Sequence, residues 1–162
     1  MPVRAPYKTI EEGIYWYYSK FVKCGVGKPY HNNPGMWQYF YKQLKNKEIS
    51  MNTERDRETR LQMNGKKTCV YCDAPATARD HVIPKVKGGS LHIYNEVNVC
   101  KHCNSAKKDK DLIDWWLETH KNANEIPRIP IGIWLKYSYE WNKAKDRLDN
   151  PASSIQDLKP PI

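Results

Sequence analysis

Two Cys-x-x-Cys pairs, Cys69 with Cys72 and Cys100 with Cys103, constrain this chain more than any other feature. Two residues between cysteines let one tight turn direct both sulfurs at a single ion. Two such pairs therefore predict a closed, tetrahedral structural zinc site with four thiolate ligands. Two disulfides are the competing interpretation, but they need an oxidising, secretory route, and the sequence shows no signal peptide. We expect zinc.

The segment between the two pairs and just after them contains residue types that are typical of catalytic sites. Asp80 and His81 are adjacent, Gly88-Gly89 and Asn95 follow, and Asn104 comes directly after the fourth cysteine. A neutral imidazole can accept a proton from water near neutral pH, which makes His81 the candidate general base. Asp80 offers a hard oxygen atom to a divalent cation, and Asn104, expected at the start of a helix, offers a second.

Residues 69 to 107 together resemble the HNH endonuclease family. The family pattern has a Cys-x-x-Cys pair, an Asp-His dipeptide, two glycines, an asparagine before the third cysteine, and a histidine or asparagine after the fourth. The resemblance implies a ββα-metal motif, in which a hairpin and the following helix enclose one catalytic metal ion. It also implies that Asp80 and Asn104 hold this ion, and that Asn95 fixes the loop and orients His81.

The asparagine after the fourth cysteine departs from the commonest form of the pattern. Most relatives have histidine there, so the chain is similar to a His-Asn-Asn variant of the family. An amide oxygen from Asn104 suits magnesium or manganese better than zinc or nickel. We therefore expect magnesium or manganese as the catalytic metal, beside the structural zinc.

Several chemically capable residues have alternative interpretations. Asn98 competes with Asn95 for the middle position of the motif, although the spacing to Cys100 favours Asn95. His102 could serve as a zinc ligand, but four thiolates already complete a tetrahedron. The remaining candidates are three histidines expected at the surface, one cysteine expected to be buried, and two tyrosines kept as possible nucleic-acid contacts: His31, His92, His120, Cys24, Tyr71 and Tyr94.

The chain is strongly basic, with a formal net charge of +9 over 162 residues. Such an excess is expected of a protein that neutralises phosphates, and its position near the motif strengthens the argument. Five lysines are predicted to contact DNA backbone phosphates around the site: Lys85, Lys87, Lys101, Lys107 and Lys108. For Lys110, a solvated helix face is an alternative to a phosphate contact.

Around the motif the sequence predicts a mostly helical α+β fold. Thr9 begins a capping box, and apolar residues at helical spacing predict helices over residues 9 to 23, 36 to 47 and 131 to 148. A weaker, highly charged helix is expected over residues 53 to 63, ending at Asn64-Gly65. Asp111 is expected to cap a further helix, and Ile126 to Pro130 to form an extended link. We predict four regions: an N-terminal helical region (1–65), an HNH core (66–122), a C-terminal helix packing on the core (123–149) and a flexible tail (150–162).

These patterns together indicate a metal-dependent nuclease that hydrolyses phosphodiester bonds in DNA, with RNA as an alternative substrate. A zinc-knuckle protein that binds nucleic acid without cutting it is the first rival. A nuclease effector within a larger restriction, phage or defence complex is the second. We expect a cytoplasmic protein of bacterial or phage origin without a membrane span, and a homodimer if both strands are cut. The motif does not encode sequence specificity.

Overall fold

The computed structural model describes residues 5–23, 36–51, 67–89 and 95–160. Within these ranges most residues are helical, and two short strands form one antiparallel hairpin. In chain order the elements are α1 (Ile10–Tyr17), a π-helical continuation (Tyr18–Lys23), α2 (Met36–Lys45), β1 (Ala78–His81), a 3-10 turn (Lys85–Lys87), β2 (Glu96–Val99), α3 (Lys101–Lys107), α4 (Leu112–Thr119), a 3-10 turn (Ala123–Glu125), α5 (Arg128–Ala144) and a 3-10 turn (Ile155–Leu158). The predicted fold class, mostly helical α+β, is confirmed.

The chain divides into two compact units. The terminal unit combines Met1–Met51 with Leu135–Ile162, and the central unit comprises Asn52–Trp134. The division falls inside α5. Both Cys-x-x-Cys pairs and the hairpin belong to the central unit. The boundaries of the four regions expected from the sequence stay predictions.

In the terminal unit, α1 begins where the capping box predicts. The Thr9 hydroxyl accepts a hydrogen bond from the backbone N–H of Glu12 at 3.2 Å, which satisfies one of the free donors at the helix start. Ile10 and Ile14 are buried on one face. The helix continues in π-helical form to Lys23, so its predicted span is confirmed.

The last residues of the terminal unit differ from the predicted flexible tail. Residues Ile155–Leu158 form a 3-10 turn, and Ile155 and Leu158 are buried. A Cβ atom on Gly13 would lie 2.9 Å from Leu158 Cδ2, so glycine lets this segment pack closely on α1. The sequence did not predict this packing for two reasons. The segment is rich in proline, and two buried side chains are too few to produce a periodic pattern.

The hairpin is the centre of the second unit. Val97 and Val99 on β2 are fully buried and alternate with the less buried Glu96 and Asn98, as expected for a strand with one face in the core. The backbone N–H of Val70, within the first cysteine pair, donates to the carbonyl of Asn98 at 2.9 Å. The first cysteine turn is thereby attached to the hairpin.

Asp111 organises the helices that follow. Its carboxylate accepts hydrogen bonds from the backbone N–H groups of Ile113 and Asp114, so it caps α4 as predicted. The other carboxylate oxygen accepts from the indole N–H of Trp134 at 3.0 Å. Trp134 is fully buried, and this one carboxylate therefore ties α4 to α5 inside the central unit.

The start of α5 corrects a sequence prediction. The extended link expected from Ile126 to Pro130 is shorter than predicted: Ile126 is extended, but α5 begins at Arg128 and includes Pro130 in its first turn. Proline is tolerated there because N–H groups in the first turn have no helical acceptor. The predicted helix over residues 53 to 63 lies outside the described residues. Among the helices of the described ranges, all are too short or too polar to cross a lipid bilayer.

Candidate active site

The four cysteines of the two pairs come together in one cluster. Their sulfur atoms all lie within 4.8 Å of one another, and Cys72 Sγ lies 3.6 Å from Cys100 Sγ. A tetrahedron with zinc–sulfur bonds of about 2.3 Å has sulfur–sulfur edges of about 3.8 Å, so the spacing fits a zinc ion. All four cysteines are free thiols. The cluster is therefore consistent with the predicted zinc site and not with two disulfides.

Backbone N–H groups point at the sulfurs and prepare them for a metal. Tyr71 N–H donates to Cys69 Sγ, and Cys103 N–H donates to Cys100 Sγ, both at 3.4 Å. The hydrogen bond from Cys103 lowers the pKa of Cys100 to about 7. A thiolate is the form that binds metal, and this hydrogen bond favours it at Cys100, whereas burial raises the pKa of Cys103. Asp73 closes the first turn with a left-handed φ of 66°.

The end of β1 places Asp80 and His81 on different sides of the hairpin. Asp80 is paired in register with Val97, and His81 with Glu96. Neighbouring residues of a strand point to opposite faces. The Asp80 side chain is 13% exposed and lies against α3, whereas the His81 ring is 31% exposed. The strand ends at His81.

Glu96 is a neighbour of His81 that the sequence analysis missed. Its Oε1 lies 3.6 Å from His81 Nε2, and its Oε2 accepts a hydrogen bond from Arg79 Nη1 at 3.4 Å. The carboxylate thus sits between a guanidinium and the imidazole on the exposed side of the hairpin. Only the strand register brings Glu96 opposite His81, and the sequence does not specify that register.

Asn95 holds the chain just beyond His81. Its side-chain Oδ1 accepts from the N–H of Ile83, and its Nδ2 donates to the carbonyl of Ile83, both at 2.9 Å. The N–H of Val82 donates to the Asn95 carbonyl, also at 2.9 Å. Asn95 is buried. The asparagine favoured by the sequence is therefore bonded to the loop that follows the candidate base.

The two glycines of the motif are needed by the same loop. Gly88 has a φ of 85°, a left-handed conformation that side chains disfavour. A Cβ atom on Gly89 would overlap the carbonyl of Ile83. The N–H of Gly89 donates to the carbonyl of Pro84 at 3.0 Å. The loop can therefore fold back onto Ile83 only with glycine at this place.

The structure places Lys107 differently from the sequence prediction. Its side chain is fully buried, and its Nζ lies 3.1 Å from Asp80 Oδ2 and 3.1 Å from the carbonyl oxygen of His81. An ammonium enclosed in this way has no surface with which to meet a DNA phosphate. The expectation that Lys107 contacts the DNA backbone is therefore corrected: the lysine binds the end of β1.

Asn104 lies on α3 between the cysteine cluster and Lys107. The helix already begins at Lys101, because Cys100 caps it, so Asn104 is inside the first turn and not at its start. Residues three apart on a helix are neighbours, which puts Asn104 beside Lys107 and so on the side of α3 that meets Asp80. Of the other predicted phosphate contacts, Lys85, Lys101 and Lys108 are exposed, and Lys87 is half-buried.

A comparison with protein families decides the identity of this segment. Residues 69–115 match the HNH endonuclease family. The matched segment contains the cysteine cluster, the hairpin, α3 and the first part of α4, and covers less than half of the chain. No curated protein and no solved structure matches the chain significantly. The HNH domain accounts for the part of the chain that holds every candidate site residue.

The structure shows where some of the residues with alternative interpretations lie. His102 and His120 are exposed, and His120 stacks on Trp116 with ring centroids 3.7 Å apart. Tyr71 is buried against Trp115, and burial raises the pKa of its hydroxyl well above the ordinary value. It is therefore a core residue, not a nucleic-acid contact. Four of these residues lie outside the described ranges: Cys24, His31, His92 and Tyr94.

Proposed function

We propose that the HNH domain is a metal-dependent endonuclease that hydrolyses phosphodiester bonds in DNA. The main support is the end of β1, where Asp80 lies against α3 and His81 lies at the edge of the hairpin, within a segment that matches a nuclease family. A carboxylate and an imidazole on adjacent residues, at the point where one strand ends, can supply a metal ligand and a general base. The basic charge of +9 suits a polyanionic substrate.

His81 acts as the general base in this proposal. Its Nε2 is shielded from solvent and faces Glu96, which leaves Nδ1 to take a proton from the attacking water. Asn95 holds Ile83 by two hydrogen bonds and so fixes the backbone that carries the ring. Glu96 limits rotation of the ring from the other side. A base held in one orientation can direct the water at a phosphorus atom.

Asp80 and Asn104 would hold the catalytic metal. Their oxygen atoms suit magnesium or manganese, whose Lewis acidity stabilises charge on the scissile phosphate and on the leaving 3′ oxygen. Cleavage of this kind gives 5′-phosphate and 3′-hydroxyl ends. The four cysteines hold zinc for stability only, because a site closed by four protein ligands leaves no position for water or substrate.

The exposed lysines around the site provide affinity for the DNA backbone. Three of these lysines are exposed. Lys85 follows β1 in the chain, Lys101 follows β2, and Lys108 follows α3. Lys87 is less exposed and contributes less. Contacts of this type position the duplex without reading its sequence.

Plasmid cleavage tests the proposal. Supercoiled plasmid is incubated with purified protein and magnesium or manganese, and nicked, linear and degraded products are separated on one gel. His81→Ala should lower the cleavage rate by about 10²- to 10⁴-fold, because general-base catalysis is lost. His102→Ala is the matched control, since this histidine is exposed in the same domain and has no proposed role. It should cut at the wild-type rate.

Each failure of this assay points to a specific rival. Wild type that cuts neither DNA nor RNA with any divalent metal, yet binds DNA, would indicate a zinc-containing binding protein. Cleavage of RNA but not DNA would mean that RNA is the substrate. Activity that appears only with cell extract would indicate a subunit of a larger nuclease complex, and linear products at second order in protein would indicate a homodimer.

A further inference from the structure

The buried charge of Lys107 is unusual for a lysine beside a metal site. Its side chain has no solvent exposure, and an ammonium is stable in such a place only when it is paired. Its two contacts are the Asp80 carboxylate and the His81 carbonyl, at 3.1 Å each. It is therefore fixed against one of the two proposed metal ligands and lies one helical turn from the other, Asn104.

This placement sets the charge of the proposed metal site. Asp80 contributes one negative charge, Lys107 one positive charge, and the amide of Asn104 none. The ion pair between Arg79 and Glu96 lies on the opposite face of the hairpin. The affinity of hard divalent cations rises with the negative charge of their ligands, so a single carboxylate whose charge is offset by a lysine binds them weakly.

We propose that Lys107 makes divalent-metal binding depend on nucleic acid. By offsetting the charge of Asp80, it leaves the site without enough negative charge to hold the ion alone, and the phosphodiester of the substrate supplies what is missing. The metal then binds firmly only together with DNA. This inference rests on the proposed function, in which Asp80 and Asn104 are the metal ligands.

A purely structural role for Lys107 makes the opposite prediction. If the lysine served only to brace the end of β1 against α3, its removal would loosen Asp80 and weaken metal binding. If it offsets charge, its removal strengthens metal binding in the absence of DNA. Cleavage should fall in either case, so a loss of activity does not distinguish bracing from charge offset. The direction of the change in metal affinity does.

Manganese binding to the zinc-loaded protein of 162 residues is the test. Free Mn²⁺ is measured by electron paramagnetic resonance without DNA. Lys107→Met should bind Mn²⁺ at least about tenfold more tightly than wild type, because a unit charge a few ångströms from the ion is removed. Lys107→Arg keeps the charge and should stay near wild type. Lys110→Met is the control, since this exposed lysine pairs with Glu118 away from the site.

The second measurement adds DNA, and its first part needs no change at Lys107. In a His81→Ala background, which prevents cleavage, a short duplex should tighten Mn²⁺ binding by about tenfold or more. The same duplex should add much less when Lys107→Met is combined with His81→Ala. This arm keeps the inference testable if Lys107→Met alone fails to fold, which near-ultraviolet circular dichroism and zinc content would reveal.

The outcomes distinguish the inference from the function it rests on. Unchanged or weaker Mn²⁺ affinity in folded Lys107→Met, or no effect of duplex on Mn²⁺ affinity, overturns the inference. Asn104→Ala should weaken Mn²⁺ binding if the proposed ligands are right. When Asn104→Ala weakens binding and Lys107→Met does not strengthen it, the metal site stands and only the role of Lys107 is wrong. When Asn104→Ala has no effect, the proposed metal site is itself wrong.

Discussion

Asn95 forms two hydrogen bonds to the backbone of Ile83, one through its side-chain oxygen and one through its side-chain nitrogen. The N–H and the carbonyl of Ile83 are each bonded to it at 2.9 Å, and the asparagine is buried. Two backbone groups of a loop therefore depend on a single side chain for their hydrogen bonds. Buried polar groups that lose their partners are costly, so the conformation after His81 depends on this residue.

Replacing Asn95 tests this dependence. Asn95→Ala should lower the free energy of unfolding by roughly 2 to 4 kcal/mol, because it leaves two backbone groups of Ile83 without partners. Cleavage should fall as well, since the loop no longer fixes His81. Urea denaturation and the plasmid assay measure the two effects. Asn98→Ala, at the half-buried rival position, should change stability by less than about 0.5 kcal/mol, and equal effects at the two positions would contradict the assignment.

Spacing along the chain pointed to some residues of the candidate site and could not point to others. The cysteines, Asp80, His81 and Asn95 stand at short, fixed separations that the local turns require. Glu96 and Lys107 are different, because each reaches His81 or Asp80 only through the pairing of β1 with β2 or the packing of α3. Lysine in a basic segment is usually solvated, so nothing in the sequence indicated that Lys107 is buried.

At the scale of elements, the cysteine cluster joins the hairpin to α3. Cys100 follows β2 directly and caps α3, while the first pair is bonded to β2 through Val70. A short hairpin has little core of its own and needs such a connection. Zinc at the cluster would thus fix the angle at which α3 meets Asp80.

Removing one cysteine should remove the zinc and unfold the domain. Cys72 is the informative position, because it is exposed and its loss deletes no core packing. Cys72→Ser protein should retain less than half an equivalent of zinc by elemental analysis and lose its cooperative thermal transition, since structural zinc supplies on the order of 10 kcal/mol of folding free energy. Cys24→Ser, outside both pairs, should keep one equivalent. Well-folded wild type without zinc would contradict the assignment.

Helix ends were predictable where a side chain caps them. Thr9 and Asp111 were recognised from sequence and begin their helices as expected. The start of α5 was not, because Pro130 also fits an extended link, and packing in the first turn decides between the two. The 3-10 turn at Ile155–Leu158 was missed because its stability comes from contact with α1, which local sequence does not encode.

At the scale of the molecule, the formal net charge is +9. Some lysines of the described residues are paired with carboxylates, and others are exposed. Lys107 is neutralised by Asp80, and Lys110 is paired with Glu118. Lys85, Lys101 and Lys108 are exposed and belong to the segment that matches the HNH family. The exposed lysines, and not the buried one, are therefore the source of any electrostatic attraction to DNA.

DNA affinity should fall steeply with salt and respond to these lysines. The logarithm of the binding constant should decrease with the logarithm of salt concentration at about 0.9 per phosphate contact. Lys85→Ala and Lys101→Ala should each reduce the slope by about one contact, whereas Lys110→Ala should not. Fluorescence anisotropy titrations at several salt concentrations provide the slopes. Salt-independent binding, or unchanged slopes in both variants, would place the contacts elsewhere.

The terminal unit is assembled from two stretches of chain separated by the whole central unit. Synthesis proceeds from the N-terminus, so α1 emerges from the ribosome long before Leu148 and Asn150, whose carbonyls accept hydrogen bonds from its first turn. The central unit has all of its residues by Trp134. Because domains generally fold as units during synthesis, the central unit can fold before the residues that bond to the first turn of α1 have been made. During synthesis the central unit can therefore fold before the terminal unit, although the terminal unit contains the N-terminal helix α1.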